Sequence, residues 1–341
     1  NMEYKPRLGI IGLGYWGPNL VRNLENLRED CVITMFCDKD GNVLKNFGKG
    51  RSQRLTTDYK EICKDENIDA VIVSTPTSTH YEITKYALEN GKDVFCEKPI
   101  TNNLKHAEEI VELTNKNNRI MMVGNIFLYH PGVRELKKRI DSGEIGKIYE
   151  INFIRKSHGP IRSDVNVMWD LASHDISILL YLAGKIPQKI SAVGFKHLEG
   201  RRLEDSVDLT LSFDNGIGAR INTSWLYPVK ERKIIVVGDK KMAIFDDVNS
   251  DRPLTLYERS TVPFGEVSSA DFGEFKMQTR DGDIILPKIS MIEPMKLELQ
   301  HFLDCMRKRE KPFTDAENGK DIVKILEKAQ KSLTFSGWVE I

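Results

Sequence analysis

Along the first third of the chain, short runs that are apolar at almost every position alternate with segments that are apolar only every third or fourth position. Residues 7–14 (RLGIIGLG), 31–38 (CVITMFCD), 69–75 (DAVIVST), 92–99 (KDVFCEKP) and 119–125 (RIMMVGN) are of the first kind. A strand covered on both faces reads this way, because neither side of its pleat meets water. Leu20, Leu24 and Leu27 recur at helical spacing, and helical patterns occupy 59–64, 80–89 and 104–114. Strands alternating with helices of this length predict an α/β fold in which residues 1–124 form a doubly wound parallel sheet with right-handed crossovers.

Beyond residue 124 the period changes. A helix is expected at 133–141, and strand-like segments dominate at 147–157, 189–198, 206–213, 216–226, 232–239, 241–247 and 282–289. The turn signals DNG, GDK and RDGD separate several of them. One helical stretch, 169–182, interrupts the series, and helical patterns return at 296–309 and 319–332. These features predict that residues 125–341 form an α+β domain for substrate binding and oligomerisation, built on a large, mostly antiparallel sheet with one open face. An open face of that size needs covering, which predicts a homodimer or homotetramer assembled through the sheet.

Composition narrows the function classes. The 341 residues accommodate two domains, and 50 basic residues balance 50 acidic ones, so nothing draws the whole chain to nucleic acid or an acidic membrane. No apolar run approaches the roughly 20 residues that span a bilayer. The charged amino terminus runs directly into a strand, unlike a signal peptide. Cysteines 31, 37, 63, 96 and 305 lack CxxC spacing, which predicts reduced thiols in a cytoplasmic protein. His80, His130, His158 and His174 share no two-ligand spacing and none pairs with a cysteine, so no metal is expected.

The chemistry begins at the first strand's end. Gly12, Gly14 and Gly17, with Tyr15 and Trp16 between them, form a GxGxxG turn that opens the first helix. In a Rossmann sheet the first glycine permits the tight turn, the second admits a pyrophosphate, and the third lets helix and strand pack closely. The next strand ends in Asp38, about 20 residues on, where an acid meets the adenosine ribose 2′-hydroxyl. That carboxylate would repel a 2′-phosphate, which favours NAD over NADP. The alternative role for Asp38 is as the cap of a helix beginning near Asp40. Two later strands end in Ser74-Thr75-Pro76-Thr77, followed by His80, and in Glu97-Lys98-Pro99. Proline can neither continue a central ladder nor donate to it, so both charges of the second group stand at the carboxyl edge, where such sheets bind ligands.

GLGYWG, TPTSTH, EKP and the later Asp170-x-x-x-His174 occur in that order over residues 7–175. In this combination the chain resembles the Gfo/Idh/MocA family of sugar and cyclitol oxidoreductases. The resemblance implies that Ser74, Thr75, Pro76, Thr77 and His80 line the cofactor and that Glu97 contacts the nicotinamide-side ribose. Lys98 would hold the hydroxyl being oxidised, with the Lys98–Pro99 bond a candidate for the cis form. A lysine beside a cationic nicotinamide is pushed toward its neutral form, which suits it to relay a proton. His174 would be the general base, as suits an imidazole, and Asp170, four residues earlier on the same helical face, would orient it or grip a neighbouring hydroxyl.

The start of the second domain reads GNIFLYHP (124–131), with Leu128 and Tyr129 where many members carry arginine and phenylalanine. Together with GYWGPNLVRN, DVNVMWDLASHDI and SWLYPVKER, this resembles a branch acting on nucleotide sugars. That resemblance implies oxidation of the 3-hydroxyl of a UDP-N-acetylhexosamine or uronate in polysaccharide or lipid A synthesis. Arg155, Lys156, Arg162, Lys230 and Arg232 are the candidate diphosphate cations, unless they form a solvated charged edge. Asn125, Asn166 and Trp169 complete the expected substrate set. The alternatives are a free-sugar or inositol dehydrogenase, a 3-ketoreductase, and a non-catalytic NADH-sensing regulator on the same fold.

Overall fold

A computed structural model describes residues 4–200, 202–258, 260–263, 277–280 and 282–341. It contains two compact units. One comprises the chain up to Tyr129 together with Ile292–Glu327, and the other comprises His130–Met291 together with Lys328–Ile341. The first unit therefore holds a late helical segment that the pattern alone assigned to the second.

In the first unit, β1 (Arg7–Ile11), α1 (Gly17–Asn26), β2 (Val32–Cys37), α2 (Gly41–Phe47), β3 (Arg54–Thr56) and α3 (Tyr59–Lys64) lead into β4 (Ala70–Val73) and α4 (Thr77–Glu89). β5 (Asp93–Glu97), α5 (Leu104–Lys116) and β6 (Met121–Gly124) follow. The sheet runs β3-β2-β1-β4-β5-β6, and every pair is parallel. Strand order reverses between β1 and β4, the switch point at which doubly wound sheets open a crevice. Leu8, Ile10, Val71, Ile72, Val94 and Phe95 are fully buried, so the continuous apolar runs do correspond to strands covered on both faces. Helices α2, α3 and α5 start at Asp40, Asp58 and Asn103, whose side chains accept backbone N–H groups of the first turn. Helix α2 begins where the alternative reading of Asp38 placed a helix, near Asp40, whereas the three-residue β3 was not foreseen, since it is too short to display a period.

The second unit starts with α6 (Pro131–Asp141) and β7 (Ile148–Lys156), then a π-helical turn at Met168–Ala172 and α7 (Ser173–Ala183). Its remaining strands are β8 (Lys189–Phe195), β9 (Ser206–Ser212), β10 (Gly218–Ser224), β11 (Glu231–Gly238), β12 (Met242–Asp246), β13 (Leu254–Tyr257), a separate pair β14 (Ser260–Pro263) and β15 (Met277–Arg280), and β16 (Ile284–Ile285). Helix α8 (Pro294–Lys308) belongs to the first unit, α9 (Ala316–Phe335) spans the division, and β17 (Val339–Glu340) closes the chain. The large sheet runs β16-β13-β12-β11-β7-β10-β9-β8-β17. Only β7–β10 pairs in parallel; the other pairs are antiparallel. The expected RDGD turn at 280–283 includes position 281, which lies outside the described residues.

Alternation along these strands separates an inner from an outer face. Ile151, Phe153, Leu209, Leu211, Ile221, Ile234, Val236 and Phe245 are buried, while Asn152, Ile154, Ile235, Val237 and Ile244 are only half-buried. Helix α6 lies so close to β12 that a Cβ on Gly132 would overlap the Phe245 ring. The inner layer also contains an ion pair. Arg155 of β7 donates from Nε to both carboxylate oxygens of Asp175 in α7, at 2.9 and 3.0 Å, and from Nη2 at 2.7 Å. Arg155 is 4% and Asp175 2% exposed. Each charge is tolerable there chiefly because the other is present, with Arg232 also favouring the ionised Asp175. Arg155→Leu is therefore expected to lower unfolding stability by about 3–5 kcal/mol by stranding Asp175. The double variant Arg155→Leu/Asp175→Leu should recover much of that loss in urea titrations followed by circular dichroism.

Candidate functional site

The carboxyl edge of the parallel sheet is built on a backbone contact. Gly12 has φ +98°, and a Cβ there would come within 2.7 Å of the Ser74 backbone. Its N–H donates to the Cys37 carbonyl at 2.8 Å, and its carbonyl accepts from Ser74 Oγ at 2.8 Å. A Cβ on Gly17 would overlap the Gly12 carbonyl oxygen, whereas Gly14 faces open space. Helix α1 has no side-chain cap, with Pro18 in its first turn. Pro18 carries no N–H and the Asn19 N–H turns back to the Trp16 carbonyl at 3.0 Å, so what fits a dinucleotide pyrophosphate is the tight glycine turn, open at Gly14, together with the positive amino end of the helix.

Asp38, half-buried at the end of β2, accepts the Leu13 N–H at 2.7 Å through Oδ2 and the Asp40 N–H at 2.9 Å through Oδ1. The cap of α2 is Asp40, which accepts from Asn42 N–H at 2.8 Å. The alternative reading of Asp38 as that cap therefore falls away. Its carboxylate instead joins the glycine-rich turn to the end of the second strand.

At the end of β5, Glu97 accepts the Lys98 N–H at 3.3 Å and a hydrogen bond from the Trp16 side chain. Burial pushes its carboxyl up to about 7, against the opposing pull of Lys98, Trp16 and His80. The Lys98–Pro99 peptide is cis. Sequence reasoning assigned His80 to the cofactor, but the structure places it underneath. It is 1% exposed, with Nδ1 2.8 Å from the Pro99 carbonyl and Nε2 2.8 Å from the Thr75 carbonyl. It joins the two strand-end loops from below. Ser74 also works from within, through Gly12, while Thr79 donates to the Thr75 hydroxyl at 2.8 Å.

The second unit presents a separate constellation. Asp170 lies in the π-helical turn and His174 in the first turn of α7. A π turn is wider than an α turn and is often found at functional positions. The Trp225 indole N–H donates to Asp170 Oδ2 at 3.2 Å, and Arg162 Nη1 lies 3.6 Å from Oδ1. Trp225 was absent from the predicted site, although its indole fixes the acid; the only sequence signal was its place in the SWLYP segment. His174 and Trp169 are half-buried, and Asp175 turns inward to Arg155.

Several predicted substrate residues have other work. Asn166 is 3% exposed; its amide donates to Glu204 and Gln330, at 2.9 and 3.1 Å, and its oxygen accepts the Trp169 N–H. Asn125 is 2% exposed, belongs to the first unit and donates to Asn318 at 3.2 Å. Arg155 is committed to Asp175. Arg232 pairs with Asp247, which also accepts His130 Nε2 at 3.1 Å. Arg162 holds Asp164 at 2.6 Å. Lys230 is exposed, its ammonium pushed down chiefly by the neighbouring charge of Arg232. Leu128 and Tyr129 are each 1% exposed and lie in the core of the first unit. Among the described residues, no group of His, Cys, Asp or Glu is placed to hold a metal ion, and no helix is long and apolar enough to cross a membrane.

Residues 6–125 match the model of the GFO_IDH_MocA oxidoreductase family with its NAD-binding Rossmann fold, and residues 133–244 match the GFO/IDH/MocA C-terminal domain. The chain is 30% identical over 327 residues to scyllo-inositol 2-dehydrogenase (NAD(+)) of Bacillus subtilis, covering 92% of this chain and 89% of that protein. It is 26% identical to myo-inositol 2-dehydrogenase of Thermotoga maritima, covering 96% of each. The fold is shared with levoglucosan dehydrogenase in complex with NADH and levoglucosan, at 18% identity and a TM-score of 0.83 over 99% of this chain and 100% of that one. It is shared also with UDP-N-acetylglucosamine 3-dehydrogenase from Acidithiobacillus ferrooxidans, at 20% identity and a TM-score of 0.81 over 97% and 98%. With both of its domains matched, the chain belongs to the Gfo/Idh/MocA family and is an NAD-dependent oxidoreductase.

Proposed function

We propose that the protein oxidises a secondary hydroxyl on a polyhydroxylated ring, a cyclitol or sugar, to the ketone. The observation that carries this reading is the Glu97–Lys98 pair at the end of β5, in the same unit as the glycine-rich turn and Asp38. The 30% identity to an NAD-linked scyllo-inositol dehydrogenase over most of both chains supports it. When bound, NAD supplies the hydride acceptor. Asp38 would accept from the adenosine ribose, the amino end of α1 would hold the pyrophosphate, and Glu97 would accept from the nicotinamide-side ribose. Lys98 holds the reacting hydroxyl and His174 removes its proton, with Asp170, anchored by Trp225, orienting the imidazole. The half-buried outer face of the nine-stranded sheet is proposed as the contact with a second copy of the chain.

The charge pattern bears on the substrate. Of the five candidate cations for a nucleotide-sugar diphosphate, Arg155, Arg162 and Arg232 already face Asp175, Asp164 and Asp247. A carboxylate partner cancels most of the pull an arginine exerts on a phosphate, so an uncharged ring is better supported. The 3-hydroxyl of a UDP-N-acetylhexosamine is the second reading. It is favoured by the exposed Lys230, whose neighbour Arg232 still acts on it as a net positive charge.

Three measurements test these roles. Asp38→Ala should weaken NAD binding and narrow the preference over NADP, read by titrating both cofactors. Lys98→Met and His174→Asn should each lower kcat on the order of a hundredfold with little change in NAD affinity, and the histidine variant should flatten the acid limb of the kcat–pH profile. Near-normal turnover in either variant would move the proton elsewhere. For the substrate, kcat/KM should be higher for scyllo- or myo-inositol or a free sugar than for UDP-N-acetylglucosamine. The reverse order, with affinity that falls as salt rises, would establish the second reading.

A further inference from the structure

His174 stands just past a change of helical pitch. The chain passes from the π turn at Met168–Ala172 into α7 with no side-chain cap at the junction. A π turn carries an extra residue, and moving that excess along the helix turns every side chain beyond it about the axis. The register on either side of His174 therefore needs fixing from outside the helix. The fold supplies a pin on each side. Before His174, the Trp225 indole donates to Asp170 at 3.2 Å. Immediately after it, Asp175 is gripped by Arg155 through contacts of 2.7, 2.9 and 3.0 Å. Both pins come from the same end of two neighbouring strands. β7 and β10 pair in parallel with Arg155 opposite Thr223, and Trp225 follows directly on β10. Ser177, one turn further on, donates its hydroxyl to the His174 carbonyl at 2.7 Å.

An arginine fork on a carboxylate fixes direction as well as distance. Stability is a poor reason for keeping such a pair, since apolar side chains of similar size in its place are often neutral or stabilising. Arg232, opposite Arg155 in the β7–β11 ladder, would keep its own partner Asp247 in that exchange. We propose that Arg155 and Asp175 are positioning residues for the reaction: the buried pair sets the register of the first turn of α7 and so the aim of the His174 imidazole. The proposal rests on the reading of His174 as the general base. Both residues are too deeply buried to meet a substrate, so they act through the histidine.

The test compares the full chain with Arg155→Leu/Asp175→Leu, Arg155→Met/Asp175→Leu and His174→Asn. It reads Tm, NAD affinity and the histidine ring signals in proton–carbon NMR. It also reads kcat and KM on whichever of scyllo-inositol, myo-inositol and UDP-N-acetylglucosamine the wild type oxidises fastest. His174→Asn assigns the His174 signal by its disappearance. At least one double variant should keep the wild-type Tm and NAD affinity, yet lose on the order of tenfold in kcat with KM little changed. Its His174 signal should be broadened or doubled where the wild type gives a single sharp one. Wild-type kcat with a single sharp signal, in a double variant of normal Tm, would overturn the proposal. A loss of kcat with the signal unchanged would overturn it too, since the pair would then act elsewhere. So would a large fall of Tm in both double variants, which would make the pair a requirement of folding. The His174→Asn arm separates the two ideas: if it is inactive while a stable double variant is fully active, only the role of the pair is rejected. Near-normal turnover in His174→Asn would reject the reading of His174 as the base, and the role of the pair in the reaction with it.

Discussion

Two stretches of backbone that must nearly touch set the terms for the cofactor half of this molecule. At Gly12 the chain leaves β1 in a left-handed conformation and passes within contact distance of the Ser74 backbone, leaving no room for a side chain. The approach is possible because β1 and β4 are neighbours at the point where strand order reverses. Other contacts follow from it. Ser74 can reach the Gly12 carbonyl, Asp38 can reach the Leu13 N–H, and α1 can start against the turn with its amino end uncapped. The polar groups at this edge serve first to hold the turn in shape, and the shape is what presents N–H groups to a phosphate.

Burial then decides what each charged residue is able to do. Glu97 and Glu298 are acids in a place that opposes ionisation, and both are raised. They differ in company, because a lysine, an indole and a histidine favour the charged form of Glu97, whereas the charge of Glu97 itself opposes ionisation of Glu298. In the second unit the same principle runs the other way. Arg155 is buried against Asp175, and Arg232 is held by Asp247, so charges that look like anion receptors in the sequence are largely spent within the fold. The residue of positive field is felt at Lys230, on the surface.

The sequence by itself determined the backbone architecture and the positions of the chemical groups. Unbroken apolar runs define strands buried on both faces, glycine spacing defines a turn that a side chain would block, and a proline after Glu97-Lys98 marks where a strand must stop. These are local constraints, carried by residues close together in the chain, and so they are legible there. The short strand β3 was not, because three residues are too few for a period to emerge. What only the tertiary structure decided is which polar group meets which. Asn166, Asn125, Arg155 and His80 were plausible ligand contacts by type and position, yet each is buried against partners up to 193 residues away. Trp225 meets Asp170 across 55 residues, and α8, late in the chain, is part of the first unit. Whether a charged side chain grips a ligand or another side chain depends on distance and dielectric, and both are properties of the packed molecule, beyond the reach of residue order.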